Sequence, residues 1–184
     1  MPTPRTLLLV ASSVVAVACA RGDARDDVST ARSNTAVNDT AFDALQQRGG
    51  DARAMGVDQR TSTHRFDALP DGGRIELQRD VDDSAGTAQI RKHLHQIAEA
   101  FAANDFATPA FVHARAVPGT QQMAAKHDLI AYVVSDLPRG AELRITTHDA
   151  DALRAVHAFL AFQRGEHHAG GLVEEGHAHD RTAH

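Results

Sequence analysis

This chain of 184 residues has little of what several common protein classes require. It contains one cysteine, Cys19, so neither an intramolecular disulfide nor a zinc site built from thiolates can form. Aromatic residues are 4% of the chain, with no Trp and one Tyr, which argues against the stacking surfaces that bind single-stranded nucleic acid. The formal charge of −5 argues against the excess of basic residues that DNA- or RNA-binding proteins have. No nucleic-acid partner is therefore expected.

The chain also lacks the short motifs of the best-known catalytic sites. There is no G-x-S-x-G elbow, no phosphate-binding P-loop, no G-x-G-x-x-G and no H-E-x-x-H. In contrast, it contains 12 His, which is many for this length. The positions of these histidines are therefore the main clue to function.

The first 19 residues predict export. Residues 1–18 carry one positive charge and a short apolar run, which suits a signal peptide better than a bilayer-spanning helix. The run ends in Ala16-Val17-Ala18-Cys19, which resembles a bacterial lipobox with Ala16 in place of the usual Leu. We expect a lipidated Cys19 that anchors the protein to a membrane of the cell envelope or periplasm. The alternative is a soluble periplasmic or secreted protein.

Two further segments are predicted to be disordered. Residues 19–54 are rich in Asp, Arg, Ala, Thr and Ser and have few large apolar residues, so they predict a tether. Residues 169–184 form the greater part of a Gly- and His-rich tail of a kind that binds metal loosely, or that is solvated without a role. The histidines assigned to this loose binding are His167, His168, His177 and His179.

Residues 55–168 predict an α+β domain made of a duplicated ββα unit. Alternating residues on both sides of Pro70-Asp71-Gly72-Gly73 predict a hairpin over 61–79, and Ile90, Leu94 and Ile97 have helical spacing. The strands LIAYVVSDL and ELRITTH, joined at Pro138-Arg139-Gly140, and a helix over about 149–164 repeat this order. Pooling the strands gives a four-stranded antiparallel sheet with two helices on one face.

The two halves can also be aligned residue by residue. Leu69-Pro70 aligns with Leu137-Pro138, and in the helices Ile90 aligns with Leu153. This alignment makes the first connection between strand and helix five residues longer than the second. The alternative is that any two amphipathic ββα units look alike.

Three histidines are predicted to point into the interface between sheet and helices. His64 shares a strand face with Phe66, while His93 and His157 lie on the apolar stripes of the two helices. Neutral imidazoles are good ligands for Zn, Cu or Ni. Three histidine ligands that leave one coordination position open are a known geometry of catalytic or transport metal sites. The predicted site for a metal ion or small ligand comprises His64, His93 and His157, with His113 as a further candidate.

Two alternatives remain open. The histidines could be packed separately in the core of a structural or interaction module, in which case His157→Leu is tolerated. Alternatively, His64 and Asp58 could form the acid–base pair of a small hydrolase, which requires that they share a cleft. The spacing of the residues supports no catalytic triad, so we favour a binding domain without catalysis.

The stretch MGVDQRTSTHRF, the following D-G-G hairpin and AVHAFLAFQRGEH resemble a family of exported bacterial proteins. Its folded part typically begins M-G-F-D-Q and reaches T-x-H-H-F, whereas this chain has Val57 and Arg65 at two of those positions. Some relatives carry an aspartate carbamoyltransferase label, which this chain does not support because those enzymes are much longer two-domain proteins. The matching positions are Met55, Gly56, Asp58, Gln59, Thr63, His64, Phe66, His93, His113, His157 and His167.

Overall fold

The structure is a computed structural model that describes residues 40–51 and 54–170. The predicted signal peptide, Cys19, most of the tether, His177 and His179 lie outside the described residues. No helix within the described ranges is long and apolar enough to cross a membrane. Residues 40–49 form a first helix, α1. The other main elements are β1 (Ser62–Leu69), β2 (Gly72–Arg79), α2 (Ser84–Ala102), α3 (Ala107–His113), α4 (Thr120–Ala125), β3 (Ile130–Leu137), β4 (Gly140–Thr147) and α5 (Ala150–Glu166).

The predicted fold class is confirmed. The four strands form one antiparallel sheet in the order β1-β2-β4-β3. α2 and α5 cover one face of this sheet, and their apolar side chains form a single core with the inward residues of the strands. Each helix begins at an aspartate whose carboxylate accepts backbone N–H groups, Asp83 for α2 and Asp149 for α5.

The two hairpins are related by a local twofold axis. Each strand of the second half begins 68 residues after its counterpart, at 130 against 62 and at 140 against 72. Where the central strands pair, Ile75 lies opposite Leu143, the residue 68 positions later, and the register is symmetric about this pair. At both hairpin ends a Cβ added to Gly72 or Gly140 would lie about 2 Å from a carbonyl oxygen of the neighbouring strand. Glycine therefore permits the close approach of the halves.

Each helix packs on the hairpin of the other half. α2 lies mainly over β3 and β4, and α5 lies mainly over β1 and β2. The aligned helix positions in the sequence are therefore corrected: the capping residues Asp83 and Asp149 are 66 residues apart, so Ile90 corresponds to Val156 and not to Leu153. The connection from β2 to α2 is two residues longer than the connection from β4 to α5. A shift of three residues keeps an apolar stripe on nearly the same helix face, so the stripe alone cannot fix this correspondence.

The folded domain is longer at both ends than residues 55–168. Leu45 of α1 is buried against Ala54 and Val112, and the Arg48 side chain donates a hydrogen bond to the Val112 carbonyl. At the other end the backbone N–H of Phe66 donates to the carbonyl of Gly170, 3.0 Å away. The connection between α2 and β3 also contains a short helix, α3, whose Val112 packs in the same cluster as Leu45. These apolar segments are short, and their partners are distant in sequence, so local pattern does not reveal them.

Candidate functional site

Four imidazoles lie around one cavity of about 90 Å³ between the sheet, α2, α3 and the end of α5. The rest of its wall is mostly apolar and includes Phe66, Leu94 and Phe159. Three of the four histidines belong to the predicted set, and the fourth was assigned to the tail. They are His64, His93, His113 and His167.

His64 is held by the strand and turn around it. Its Nε2 lies 3.2 Å from the Ser62 hydroxyl oxygen, and that hydroxyl lies 3.1 Å from the carbonyl oxygen of Asp58, to which it donates. The serine therefore accepts the N–H of His64 Nε2, which leaves the lone pair of the imidazole on Nδ1. Burial lowers the pKa of His64 to about 4, and repulsion from His93 adds to this effect. His64 is thus neutral at physiological pH.

His167 follows α5 and is held by Gln59 through both ends of the amide. The His167 Nδ1 lies 2.7 Å from Gln59 Oε1, while Gln59 Nε2 donates to the His167 carbonyl oxygen at 3.0 Å. The second bond fixes the amide orientation, so Nδ1 carries the hydrogen and Nε2 carries the lone pair. Burial lowers the pKa of His167 to about 3, with smaller contributions from His64 and His113.

His113, the last residue of α3, repeats this arrangement. Its Nε2 donates to the Gln163 amide oxygen at 2.9 Å. Its Nδ1 is buried and has no hydrogen-bond partner within the described part of the chain. Burial lowers the pKa of His113, opposed by Gln163 and by the Glu166 carboxylate, which lies 3.9 Å from Nδ1. A buried nitrogen lone pair without a partner is costly, which makes this atom the clearest vacant acceptor of the site.

His93 lies in the wall of the cavity on α2. Burial lowers its pKa to about 4, and a hydrogen bond to the backbone of Ala54 partly opposes that shift. His95, on the same helix, is exposed.

The rings are close to one another but are not a ready-made metal site. The ring centre of His167 lies 5.1 Å from that of His113 and 5.9 Å from that of His64. The rings of His113 and His167 are perpendicular. Among the residues that the structure describes, no group of three or more His, Cys, Asp or Glu side chains is arranged to hold a metal ion.

The structure corrects the position of His157. Its Nε2 donates to the carbonyl oxygens of Leu69 and Gly72, at 2.9 and 3.0 Å, at the turn of the first hairpin. In the other half Arg91 donates to the equivalent carbonyls of Leu137 and Gly140. His157 therefore has a structural role away from the cavity. The expectation that His157→Leu is tolerated conflicts with these two hydrogen bonds.

His167 and His168 do not belong to a loose tail. His167 lies in the cavity, and His168 stacks on Phe42 of α1 with ring centres 4.3 Å apart. A signal for His167 was present, because Val156, Leu160, Gln163 and His167 continue one helical stripe at spacings of three and four. No sequence pattern indicated that Gln59 and Gln163 hold these imidazoles, since a glutamine by itself does not indicate a site.

The acid–base pair of the hydrolase alternative does not share a cleft. The Asp58 carboxylate accepts the backbone N–H of Arg60 and lines a separate groove beside α1. It is not part of the wall that His64 helps to form. The Ser62 hydroxyl near His64 donates to a carbonyl, so it is not arranged as a nucleophile activated by that histidine.

The fold and site thus define an α+β domain with a buried cluster of neutral histidines. The chain matches no protein-family model, no curated protein and no solved structure.

Proposed function

We propose that this protein is an exported, lipid-anchored domain of the bacterial cell envelope that binds a transition-metal ion through its histidine cluster. The ligands are drawn from His64, His113 and His167, with His93 in the wall beside them. One observation carries the proposal. Each of the three imidazoles donates one N–H to a protein oxygen, which leaves a lone pair on its other ring nitrogen, and all three residues line one cavity.

This pattern is the usual support for a metal-binding imidazole. A histidine ligand donates its other N–H to an oxygen acceptor, which sets the tautomer and the ring orientation. The ligand must also be neutral, and burial keeps these imidazoles neutral. A set of nitrogen donors without thiolates favours Zn, Cu or Ni over Mg or Ca.

The ring spacing supports binding after a small rearrangement. Two imidazoles on one tetrahedral metal ion at N–metal distances of about 2.1 Å have ring centres roughly 5 Å apart. The distances of 5.1 and 5.9 Å from His167 to its neighbours are of this size. Binding requires these rings to reorient, because no three of them are arranged to hold a metal ion among the described residues.

The envelope location rests on the sequence. The apolar run before Cys19 and the lipobox-like Ala16-Val17-Ala18-Cys19 support export and anchoring. Labelling of the expressed protein with a radioactive fatty acid tests it: label is expected in the wild type and absent in Cys19→Ala. Equal labelling of both proteins would contradict an anchor at this residue.

Metal binding is tested with the full chain carrying His177→Ala, His179→Ala and His184→Ala, so that the imidazoles after residue 170 do not contribute. We expect one equivalent of Zn²⁺, Cu²⁺ or Ni²⁺ by calorimetry. His113→Ala should weaken binding at least tenfold, whereas His95→Ala, which removes an exposed imidazole, should not change it.

Gln59→Leu provides a milder test, because it leaves every ligand in place. Loss of such a supporting hydrogen bond typically weakens metal binding about 10- to 100-fold. Gln47→Leu, at an exposed glutamine of α1, is the matched control. Urea unfolding of each variant shows whether it remains folded. Equal affinities for all these variants would overturn the proposal.

A second candidate is a structural module whose histidines are only packed. The absence of a preformed group of three ligands within the described residues favours it. It predicts that none of the three metals binds the tail-substituted chain.

A further inference from the structure

A second, outer groove adjoins the histidine cavity between α2 and α3. It measures about 460 Å³ and is more polar than the inner cavity. Four residues line both spaces and therefore form the wall between them: Ala54, His93, Ile97 and Thr108.

His93 is the one metal-binding side chain in this wall. Ala54 and Ile97 are apolar, and Thr108 has only a hydroxyl group. The imidazole of His93 is half-buried, in contrast to the deeply buried His64 and His113. It therefore lies where a ligand that leaves the outer groove would first meet a nitrogen donor of the cluster.

The outer part of the groove has the polarity expected for a cation. Its lining includes the exposed side chains of Gln96 and Glu99, and Glu99 is the one charged residue among the described residues that line it. A carboxylate at the mouth of a concave site attracts cations and raises their association rate. The amide oxygen of Gln96 adds a neutral oxygen donor beside it.

The side of the cavity next to α1 is closed by packed residues. On the side of α1, Gly49 and Met55 contribute to the wall. That segment is held in place by the buried Leu45 and by the hydrogen bond from Arg48 to the Val112 carbonyl. Entry on that side has to displace these contacts, whereas the half-buried side chain of His93 lines both the cavity and the outer groove.

We infer that the groove between α2 and α3 is the entry route to the histidine cluster, with Glu99 attracting the incoming cation and His93 passing it inward. This inference rests on the proposed function. It assigns Glu99 and His93 roles in the rate of binding, beyond the set of ligands that holds the ion.

The test is stopped-flow binding of Cu²⁺ alone to the tail-substituted full chain, at two salt concentrations. Glu99→Gln should slow association at least threefold at low salt and reduce its salt dependence, with the equilibrium affinity changed less than twofold. Asp82→Asn, which removes an exposed carboxylate outside the groove, should leave the rate unchanged.

Two further variants address the wall and the groove. His93→Ala should slow association at least tenfold. Because loss of this half-buried side chain can impair folding, a second variant, Ala100→Leu, enlarges a residue that lines the groove and should also slow binding. Cu²⁺ binding with unchanged rates in Glu99→Gln and Ala100→Leu would overturn the entry route alone. Failure of the parent chain to bind Cu²⁺, Zn²⁺ or Ni²⁺ would overturn the proposed function and the route together.

Discussion

The local twofold axis divides the core into two spatial halves, each made of residues from both ββα units, and these halves have different chemistry at equivalent positions. The strands correspond at a spacing of 68 residues and the helices at 66, so His64 corresponds to Tyr132 and His167 to Phe101. The distance between the two ring centres is nearly the same in both pairs. The ring centres of His64 and His167 are 5.9 Å apart, and those of Tyr132 and Phe101 are 5.8 Å apart.

The aromatic rings and the histidine rings contribute differently to stability and to binding. In one half Phe101 packs against Phe106, Tyr132 and Phe159, and adds apolar contacts to the core. In the other half rings of similar shape carry nitrogens, and each polar ring needs an oxygen partner such as Ser62 or Gln59. The same backbone therefore supports an aromatic half that stabilises the fold and a histidine half that is suited to binding.

Acid should distinguish the halves most strongly. His64 and His93 have pKa values lowered to about 4 and His167 to about 3, whereas unfolded histidines titrate near 6.5. Below pH 6.5 the unfolded chain binds more protons, so stability falls as the pH falls. Between pH 6.5 and 5 the loss is roughly 1.5 kcal/mol for each histidine, or roughly 4 to 5 kcal/mol for the three.

Urea unfolding at pH 7, 6 and 5 in the presence of a chelator measures this loss. The control carries the counterparts from the other half, His64→Tyr, His93→Phe and His167→Phe, which do not titrate in this range. Its stability should change much less with pH. Equal pH dependence of the two proteins would show that the cluster is not what acid destabilises.

Removing a ring should lower the stability of the fold more in the aromatic half than in the histidine half. Phe101 is almost fully buried, so Phe101→Ala should lower the free energy of unfolding by about 3–5 kcal/mol. At the equivalent position His167→Phe should leave stability at pH 7 unchanged or raise it, because it replaces a buried polar ring and half-buried Gln59 can turn to water. The same variant should lose metal binding. A large destabilisation by His167→Phe would mean that the halves are not interchangeable in shape.

The smallest expected effect on stability comes from the hydrogen bonds to the two hairpins. A histidine donates to the carbonyls of one hairpin and an arginine to those of the other. His157→Ala and Arg91→Ala each leave two hairpin carbonyls without a side-chain donor. Each should lower stability by about 1–2 kcal/mol, and neither should change metal affinity. His157→Arg should retain most of the stability. If His157→Ala remains folded but binds metal more weakly, His157 contributes to the metal site.

Part of the site was predictable from the sequence. The alternation around His64 placed it on the inner face of β1, and the stripe of α2 placed His93 near the core. The same reasoning failed for His157, because the angular position of a residue on a helix does not say which partner the helix packs against. The crossing of α5 to the first hairpin brings His157 to a turn and His167 to the cavity.

The sequence by itself determined the four strands, their tight turns and the two long helices, because alternation, turn residues and capping aspartates act over a few neighbouring positions. Only the tertiary structure decided which imidazoles meet, that α1 belongs to the domain, and which glutamine holds which ring. Several of those contacts join residues separated by 50 or more positions, such as His113 with Gln163 and Gln59 with His167. They depend on where each helix crosses the sheet, which no local pattern specifies.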